Sequence, residues 1–370
     1  MSRKLLKYFL KLGATGFGGP LALIQQMRND LVQSEALIDA NEFDQAFTLI
    51  KAMPGPVAFQ MAVHCGYRLH GFWGAFIAGF GLICPAFLMM TLIGVFYSQI
   101  ILLSQIKFFL TGMQYAVAAV ILMGLRNFII NYKKNILFWI IVGAAAYLFM
   151  FKIIPESLLI VGFGIIMVLV YFLKNKKLSN SLSVALPFYF LLLDDKILKI
   201  FKTCFIAGAL VFGTGLAIFP FLQSEFVDHL MWLPLTVFND GVTFGQMTPG
   251  PVTISTAFYG YQMSGYLGAL AATLGLVLPP FFHMTTWFPR AMNWMSAQKW
   301  ISNFILGSTA AVVGCLFTTV YKMNVNELGL INFWLIFAGA SFILYYNPRF
   351  SIFKILVSAG IFNLIFGFMS

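Results

Sequence analysis

The sequence predicts an all-α polytopic membrane protein made of two homologous halves, and three observations carry that class. Of 370 residues, 60% are hydrophobic and 9% charged, with a mean hydropathy of +0.88, whereas soluble domains hold roughly 45–50% apolar and about 25% charged residues. Apolar runs at 72–98, 106–130, 155–173, 266–287, 328–346 and 352–369 match the ~20 residues a helix needs to cross the hydrocarbon core, and no ~10-residue alternation suggests a barrel. Finally, Pro54-Gly55-Pro56 returns as Pro249-Gly250-Pro251, 195 residues later and again inside apolar sequence.

The repeat extends outward from the tripeptide. At the same offset Lys7 meets Lys202, Gly13 meets Gly208, Ala14 meets Ala209, Phe17 meets Phe212 and Gly18 meets Gly213. Beyond the tripeptide an offset of 194 pairs Gly66-Tyr67 with Gly260-Tyr261, Gly71 with Gly265, Gly74-Ala75 with Gly268-Ala269, Gly81 with Gly275 and Pro85 with Pro279. The chain therefore divides into an N-terminal repeat at 1–178, a linker at 179–199 and a C-terminal repeat at 200–370.

The first element, at 5–24, begins like a signal peptide, with Arg3, Lys4, Lys7 and Lys11 near its start. Glycines and Pro20 interrupt it, and its mate at 202–221 lies in mid-chain, so it is expected to stay in the membrane as a helix broken at Gly18-Gly19-Pro20. If each Pro-Gly-Pro segment is a hairpin that enters and leaves on one side, the first half makes five full crossings, at 5–24, 72–98, 106–130, 136–151 and 155–173. An odd count gives inverted-topology repeats. The same count puts Lys174, Lys176 and Lys177 opposite the basic N-terminus, against the positive-inside tendency. A further crossing by the short run 184–193 would make the halves parallel.

Each tripeptide is expected to break a helix. Proline has no donor and clashes with the preceding turn, so Pro54 ends a helix running from about 42 to 53, and Pro56 suits the first turn of the next. Gly55 and Gly250 allow a tight backbone path and a close ligand. The unpaired N–H groups at Val57, Ala58 and Phe59, and at Val252, Thr253 and Ile254, need partners in lipid and carry the partial positive charge of a helix start. Two such ends facing each other near the midplane would hold a compact anion, although a proline kink satisfied by neighbouring helices would leave the same mark. Lys51, Gln60, Gln246 and Thr253 supply polar side chains beside the breaks, and Gly18, Gly19 and Gly213 mark a second break in each half.

The net charge of +11 is spread over short segments between spans, as membrane anchoring requires, and points to the lipid bilayer rather than nucleic acid. Cys65, Cys84, Cys204 and Cys315 show no metal-binding spacing, and no cofactor is expected. No phosphate-binding G-x-x-x-x-G-K-[ST] loop is present, so coupling to a proton would fall to His64, Asp44, Asp240 or Glu225. Besides a secondary transporter, the chain could be a passive anion channel on the same scaffold. A membrane-embedded enzyme would need a constellation such as H-E-x-x-H or G-x-S-x-G, and neither occurs.

These residues resemble the chromate ion transporter family of the long-chain, two-domain type. The resemblance rests on Phe17-Gly18-Gly19-Pro20, on a Pro-Gly-Pro in each half, and on the stretch from Asp240-Gly241 through Gln246 to Gly260-Tyr261, Gly265, Gly268-Ala269 and Leu278-Pro279. It implies a transporter of small inorganic oxyanions, chromate and also sulfate, in a bacterial-type cell membrane, with halves of opposite topology and a second copy of the chain as a candidate partner. The chain departs from the family pattern at Leu23, where a His is usual, at Thr214, where Gly is usual, and at Lys51, where Gln is common.

Overall fold

The computed structural model describes residues 2–51, 53–130, 132–175, 195–210, 215–347 and 350–369. Among these, regular structure is helical throughout. The first half holds α1 (Ser2–Thr15), α2 (Gly19–Arg28) running into a π turn (Asn29–Ser34), α3 (Ala40–Ile50), α4 (Val57–Ile100), α5 (Ser104–Ile129), α6 (Ile136–Met150) and α7 (Glu156–Asn175). The second half repeats the order with α8 (Lys196–Leu210), α9 (Ile218–Leu222) and its π turn (Gln223–His229), α10 (Leu235–Met247), α11 (Ser255–Thr285), α12 (Phe288–Ser296), α13 (Lys299–Asn324), α14 (Ile331–Tyr346) and α15 (Ile352–Met369). Short 3-10 turns at Gly215–Ala217 and Val252–Ile254 precede α9 and α11.

By length and composition five helices can cross a membrane, 57–100, 104–126, 156–174, 252–285 and 300–324, with α6, α14 and α15 as shorter apolar helices. The two longest are themselves hairpins. At His70 and Gly71 the backbone leaves helical geometry, with φ 60° and ψ −150° at Gly71, and Ser264-Gly265 repeats the same angles. Only glycine occupies that region without strain. The arms on either side run antiparallel in backbone contact: a methyl group on Gly66 would strike the Gly74 carbonyl oxygen and lie 2.6 Å from the Ala78 Cβ, and Gly260 meets Gly268 in the same way. The arm at 72–100 is about 43 Å long and crosses fully, whereas the arm at 57–69 is about 20 Å and reaches half depth.

The Pro-Gly-Pro tripeptides are tips of re-entrant hairpins. Arg68, near the end of the first arm of α4, forms an ion pair with Glu42, near the start of α3, so both ends of this hairpin lie on one face. Asp39 starts α3 by accepting from the N–H groups of Asn41 and Glu42 at 2.9 and 3.0 Å. In the second copy Phe238 of α10 stacks on Tyr259 of α11 at 5.0 Å, and the Tyr259 hydroxyl donates to the Phe238 carbonyl at 3.0 Å.

The expected crossing at 5–24 is not one. Gly18 (φ 107°) and Gly19 (φ 77°) reverse the chain, and α2 returns along α1 so that Tyr8 and Leu12 share a crevice with Gln26 and Asp30. Among the described residues the first half therefore makes four passes, by the second arm of α4, by α5 and α7, and by the shorter apolar α6. Lys174 ends on the same face as Arg3 and Lys4, which removes the conflict with the positive-inside tendency for this residue; Lys176, Lys177 and the run 184–193 lie outside the described residues.

The halves are nevertheless inverted. Gln262, close to the turn of the second copy, donates to the Gly94 carbonyl at the far end of α4 at 2.8 Å. His64, close to the turn of the first copy, meets Phe288, the mate of Gly94, at 5.7 Å between ring centroids. These contacts are related by a pseudo-twofold axis lying across the helices, as inverted repeats require. The halves also interlock: Thr318 and Ser308 of α13 donate to the carbonyls of Ala146 in α6 and Ile160 in α7, at 3.2 and 3.1 Å, while Asn363 of α15 donates to the Phe108 carbonyl of α5 at 2.7 Å.

Glycine sets the closest helix contacts. A methyl on Gly13 would run into the backbone of Leu82, and one on Gly208 into the backbone of Leu276, because α1 and α8 lie flush along the crossing arms of α4 and α11. Gly13→Val or Gly208→Val is expected to lower the stability of the purified protein by ~1–3 kcal/mol, the usual cost of overpacking. Gly143→Ala, where a methyl meets nothing within 4 Å, should be neutral in the same thermal unfolding measurement in detergent.

Candidate functional site

The tips of the re-entrant hairpins converge, each seated on the opposite half. A methyl on Gly55 (φ 111°) would lie 2.8 Å from the Pro280 Cβ and 3.3 Å from the Gly208 carbonyl oxygen. One on Gly250 (φ 95°) would lie 3.0 Å from the Ala86 Cβ and 3.2 Å from the Gly13 carbonyl oxygen. The Gly250 N–H also donates to the Gly16 carbonyl at 2.9 Å, joining the second tripeptide to the chain reversal of the first half. Positive φ and close protein packing both call for glycine at these two positions.

A fourth element completes the centre. A methyl on Gly215 would lie 2.7 Å from the Thr253 Cγ2 and 3.8 Å from the Pro20 Cγ. Pro20 and Gly215 are repeat mates, 195 residues apart, so their proximity puts the pseudo-twofold axis between them. Helix starts at Pro20, Val57, Gly215 and Val252 therefore meet near the middle of the bundle. Pro56 and Pro251 cap extended into these starts (ψ 107° and 123°), and the first backbone bonds are Gln60 N–H to Pro56 and Ile254 N–H to Pro251, at 2.9 and 3.0 Å. The N–H groups of Val57, Ala58, Phe59, Val252 and Thr253 precede those bonds and add partial positive charge to the centre.

Polar side chains surround these starts. Gln60 donates to the Pro54 carbonyl at 2.6 Å and pins the first tip. Gln246 Nε2 and Thr253 Oγ1 around the second tip are buried without a hydrogen-bond partner among the described residues, a costly condition that a bound anion or water would relieve. Gly18 is exposed, Gly19 is half-buried with open space where a side chain would be, and Gly213 lies outside the described residues.

Lys51 caps the C-terminus of α3 and is exposed, its ammonium 4.1 Å above the Phe47 ring. The four coupling candidates do not form one relay. Asp44 pairs with Arg28 at 2.8 Å, Glu225 stands 3.6 Å from His229 in a π turn of the second half, and His64 is buried against Phe288 with both nitrogens unpartnered. Asp240 is 4% exposed and accepts from the Tyr97 hydroxyl of α4 and from Gln114 Nε2 of α5, both at 2.6 Å. Tyr97, Gln114 and Arg28 escaped sequence reasoning; Gln114, a polar residue within the apolar run 106–130, carried a usable signal.

A family profile described as Chromate transporter matches the chain twice, at residues 3–169 and 198–364. The chain is 32% identical over 347 residues to a probable chromate transport protein of Synechococcus elongatus, covering 88% of this chain and 85% of the relative. It is 32% identical over 329 residues to a chromate transport protein of Cupriavidus metallidurans, covering 85% and 80%, and 27% identical over 380 residues to one of Pseudomonas aeruginosa, covering 97% and 91%. No solved structure matches.

Two glycines with positive φ separate strain from packing at this centre. Gly19→Ala adds a side chain in open space and should cost only the ~1–2 kcal/mol of a left-handed conformation. Gly250→Ala adds overpacking against Ala86 and Gly13, so its thermal unfolding midpoint should fall further below that of the unaltered protein. Equal midpoints for the two variants would show that the second tip is not packed as described.

Proposed function

The chain belongs to the chromate transporter family, and from that premise we propose that it is a secondary transporter that carries chromate, and the similar dianion sulfate, through a site between the converging helix starts. The observation that carries this reading is the pair of buried groups without a partner among the described residues, Gln246 Nε2 and Thr253 Oγ1, beside the second Pro-Gly-Pro. Such groups bind a tetrahedral oxyanion by hydrogen bonding, and the helix starts add electrostatic attraction without a full charge. Lys51 supplies a full charge one turn before the first tip. It favours divalent over monovalent anions because Coulomb attraction scales with the charge.

Topology fits a multi-pass membrane carrier with its site at the pseudo-twofold axis. The face that bears Arg3, Lys4, Arg68, Lys133, Lys134 and Lys174 is the cytoplasmic one by the positive-inside tendency. A dianion leaving a cell whose interior is negative gains ~2.3 kcal/mol per charge for each 100 mV, so membrane potential alone can drive export.

Uptake by proteoliposomes with the membrane potential set, using chromate, sulfate, molybdate and phosphate, tests this reading. Saturable chromate flux that sulfate inhibits is expected; flux that rises without saturation would instead establish a channel, and no flux above empty vesicles would remove the transport reading. Gln246→Leu or Thr253→Val should each weaken apparent chromate affinity by about tenfold, as loss of one hydrogen bond to a charged group implies. Lys51→Gln should reduce affinity for chromate more than for a monovalent oxyanion such as nitrate, read as the ratio of the two inhibition constants.

A further inference from the structure

The two re-entrant hairpins are repeats in sequence but not in burial. Along α3 the polar side chains Asp44, Thr48 and Lys51 follow at helical spacing, and an offset of 195 places Asn239, Thr243 and Gln246 at the matching positions of α10. On α3 all three are exposed, the Asp44 side chain by 52%. On α10 their mates are buried, at 6%, 0% and 7%. The preceding elements differ in the same sense: Gln25 and Gln26 of α2 are exposed, while α9 is buried along its whole length.

The space beside each hairpin differs as well. A crevice of about 370 Å³ runs beside α3, lined by Asp44, Gln45 and Thr48 on one wall and by Gln298 and Ser302 on the other. Leu49, Met295, Ile301 and Ile305 complete the lining, so polar and apolar side chains share this crevice. Beside α10 the matching crevice, of about 350 Å³, is apolar, with Phe96, Tyr97, Ile101, Phe109, Phe244 and Met247 in its lining and none of Asn239, Asp240, Thr243 or Gln246. Tyr97 donates to Asp240, packs edge-on against Phe258 at 5.2 Å and contacts Phe244 at 6.2 Å, while Gln114 holds the other carboxylate oxygen and Asn239 donates to the Met323 carbonyl at 3.3 Å. The mates of Tyr97, Phe244 and Phe258 are Ala291, Leu49 and His64, which cannot rebuild that seal. Helix geometry agrees: α4 runs unbroken to Ile100, carrying Tyr97 onto α10, whereas its mate α11 stops at Thr285 and bends into α12.

We propose that the crevice along α3 is the open access path to the central site, and that Tyr97, Gln114 and Asp240 form the closed gate on the opposite face, which opens when α10 moves away from α4 and α5. The two hairpins are inverted copies, so one fold offers an access path to each face, and burying the polar face of one hairpin while exposing that of the other gives alternating access. The gate has a defined chemistry. An ionised Asp240 has two neutral donors holding it and, among the described titratable groups interacting with it, only the phenols of Tyr97 and Tyr259, with no cation. Losing both donors would leave a buried unpaired carboxylate, and its desolvation penalty would then favour the arrangement in which α10 is wet.

Site-directed thiol labelling of the full chain in proteoliposomes tests the gate without any substrate. In a Cys84→Ala background, where the other three cysteines are buried, Thr48→Cys should react with a membrane-impermeant maleimide from one face and Thr243→Cys from neither. Adding Tyr97→Phe and Gln114→Leu should raise labelling of the Thr243→Cys thiol by about tenfold or more, from the face opposite that which labels the Thr48→Cys thiol. Tyr97→Phe alone deletes only a hydroxyl, keeps the ring packing and should raise it by a smaller factor, which guards against a misfolded double variant. Equal labelling at the two positions in the starting protein, or no increase at position 243 in the folded gate variants, overturns the proposal. The path is called a substrate path only on the strength of the transport reading; asymmetric labelling without oxyanion flux would remove that reading and leave the gate standing.

Discussion

Hydrocarbon gives an unpaired backbone N–H no water to fall back on, and the whole architecture depends on how this chain meets that constraint. Helices that stop at half depth expose their first donors where exposure is most costly. The chain brings its interrupted helices to one place, so that each tip is covered by the other half. Gly250 donating to Gly16, and Gly55 pressed against Gly208 and Pro280, are the visible parts of that arrangement. The halves also interlock through α13 with α6 and α7, and through α5 with α14 and α15.

The same constraint leaves a polar centre in an apolar molecule. In the proposed reading, the first N–H groups of the converging helices make a place that favours an anion. Gln246 and Thr253, without partners among the described residues, extend this centre with side chains. The same reading favours a compact oxyanion over an apolar or cationic solute, because an oxyanion accepts hydrogen bonds from every side.

Pseudo-symmetry supplies the means of movement, and its violations show the state. Repeat mates are exposed on α3 and buried on α10. Asp240 is the most marked departure, a carboxylate where the first copy has Gln45. Its partners come from two helices of the other half, which makes one side chain a link between the second hairpin and the first half.

The sequence by itself determined the membrane class, the duplication and the hairpin character of the Pro-Gly-Pro segments, because composition, glycine spacing and the missing donor of proline are local properties. It also pointed to the residues gathered at the tips. It did not determine the topology of 5–24, which reads as one apolar run whether the helix continues or reverses; the difference lies in two backbone angles at Gly18 and Gly19. The crossing count followed from that run, so inversion was expected for the wrong reason, and contacts such as Gln262 with Gly94 were needed to establish it. Tertiary structure alone decided that Gly55 and Gly250 pack against the opposite half, that Lys51 lies over Phe47, and that Asp240 is held by Tyr97 and Gln114. These are contacts between residues far apart in the chain, and hydrophobic periodicity says which face of a helix is buried but not against what.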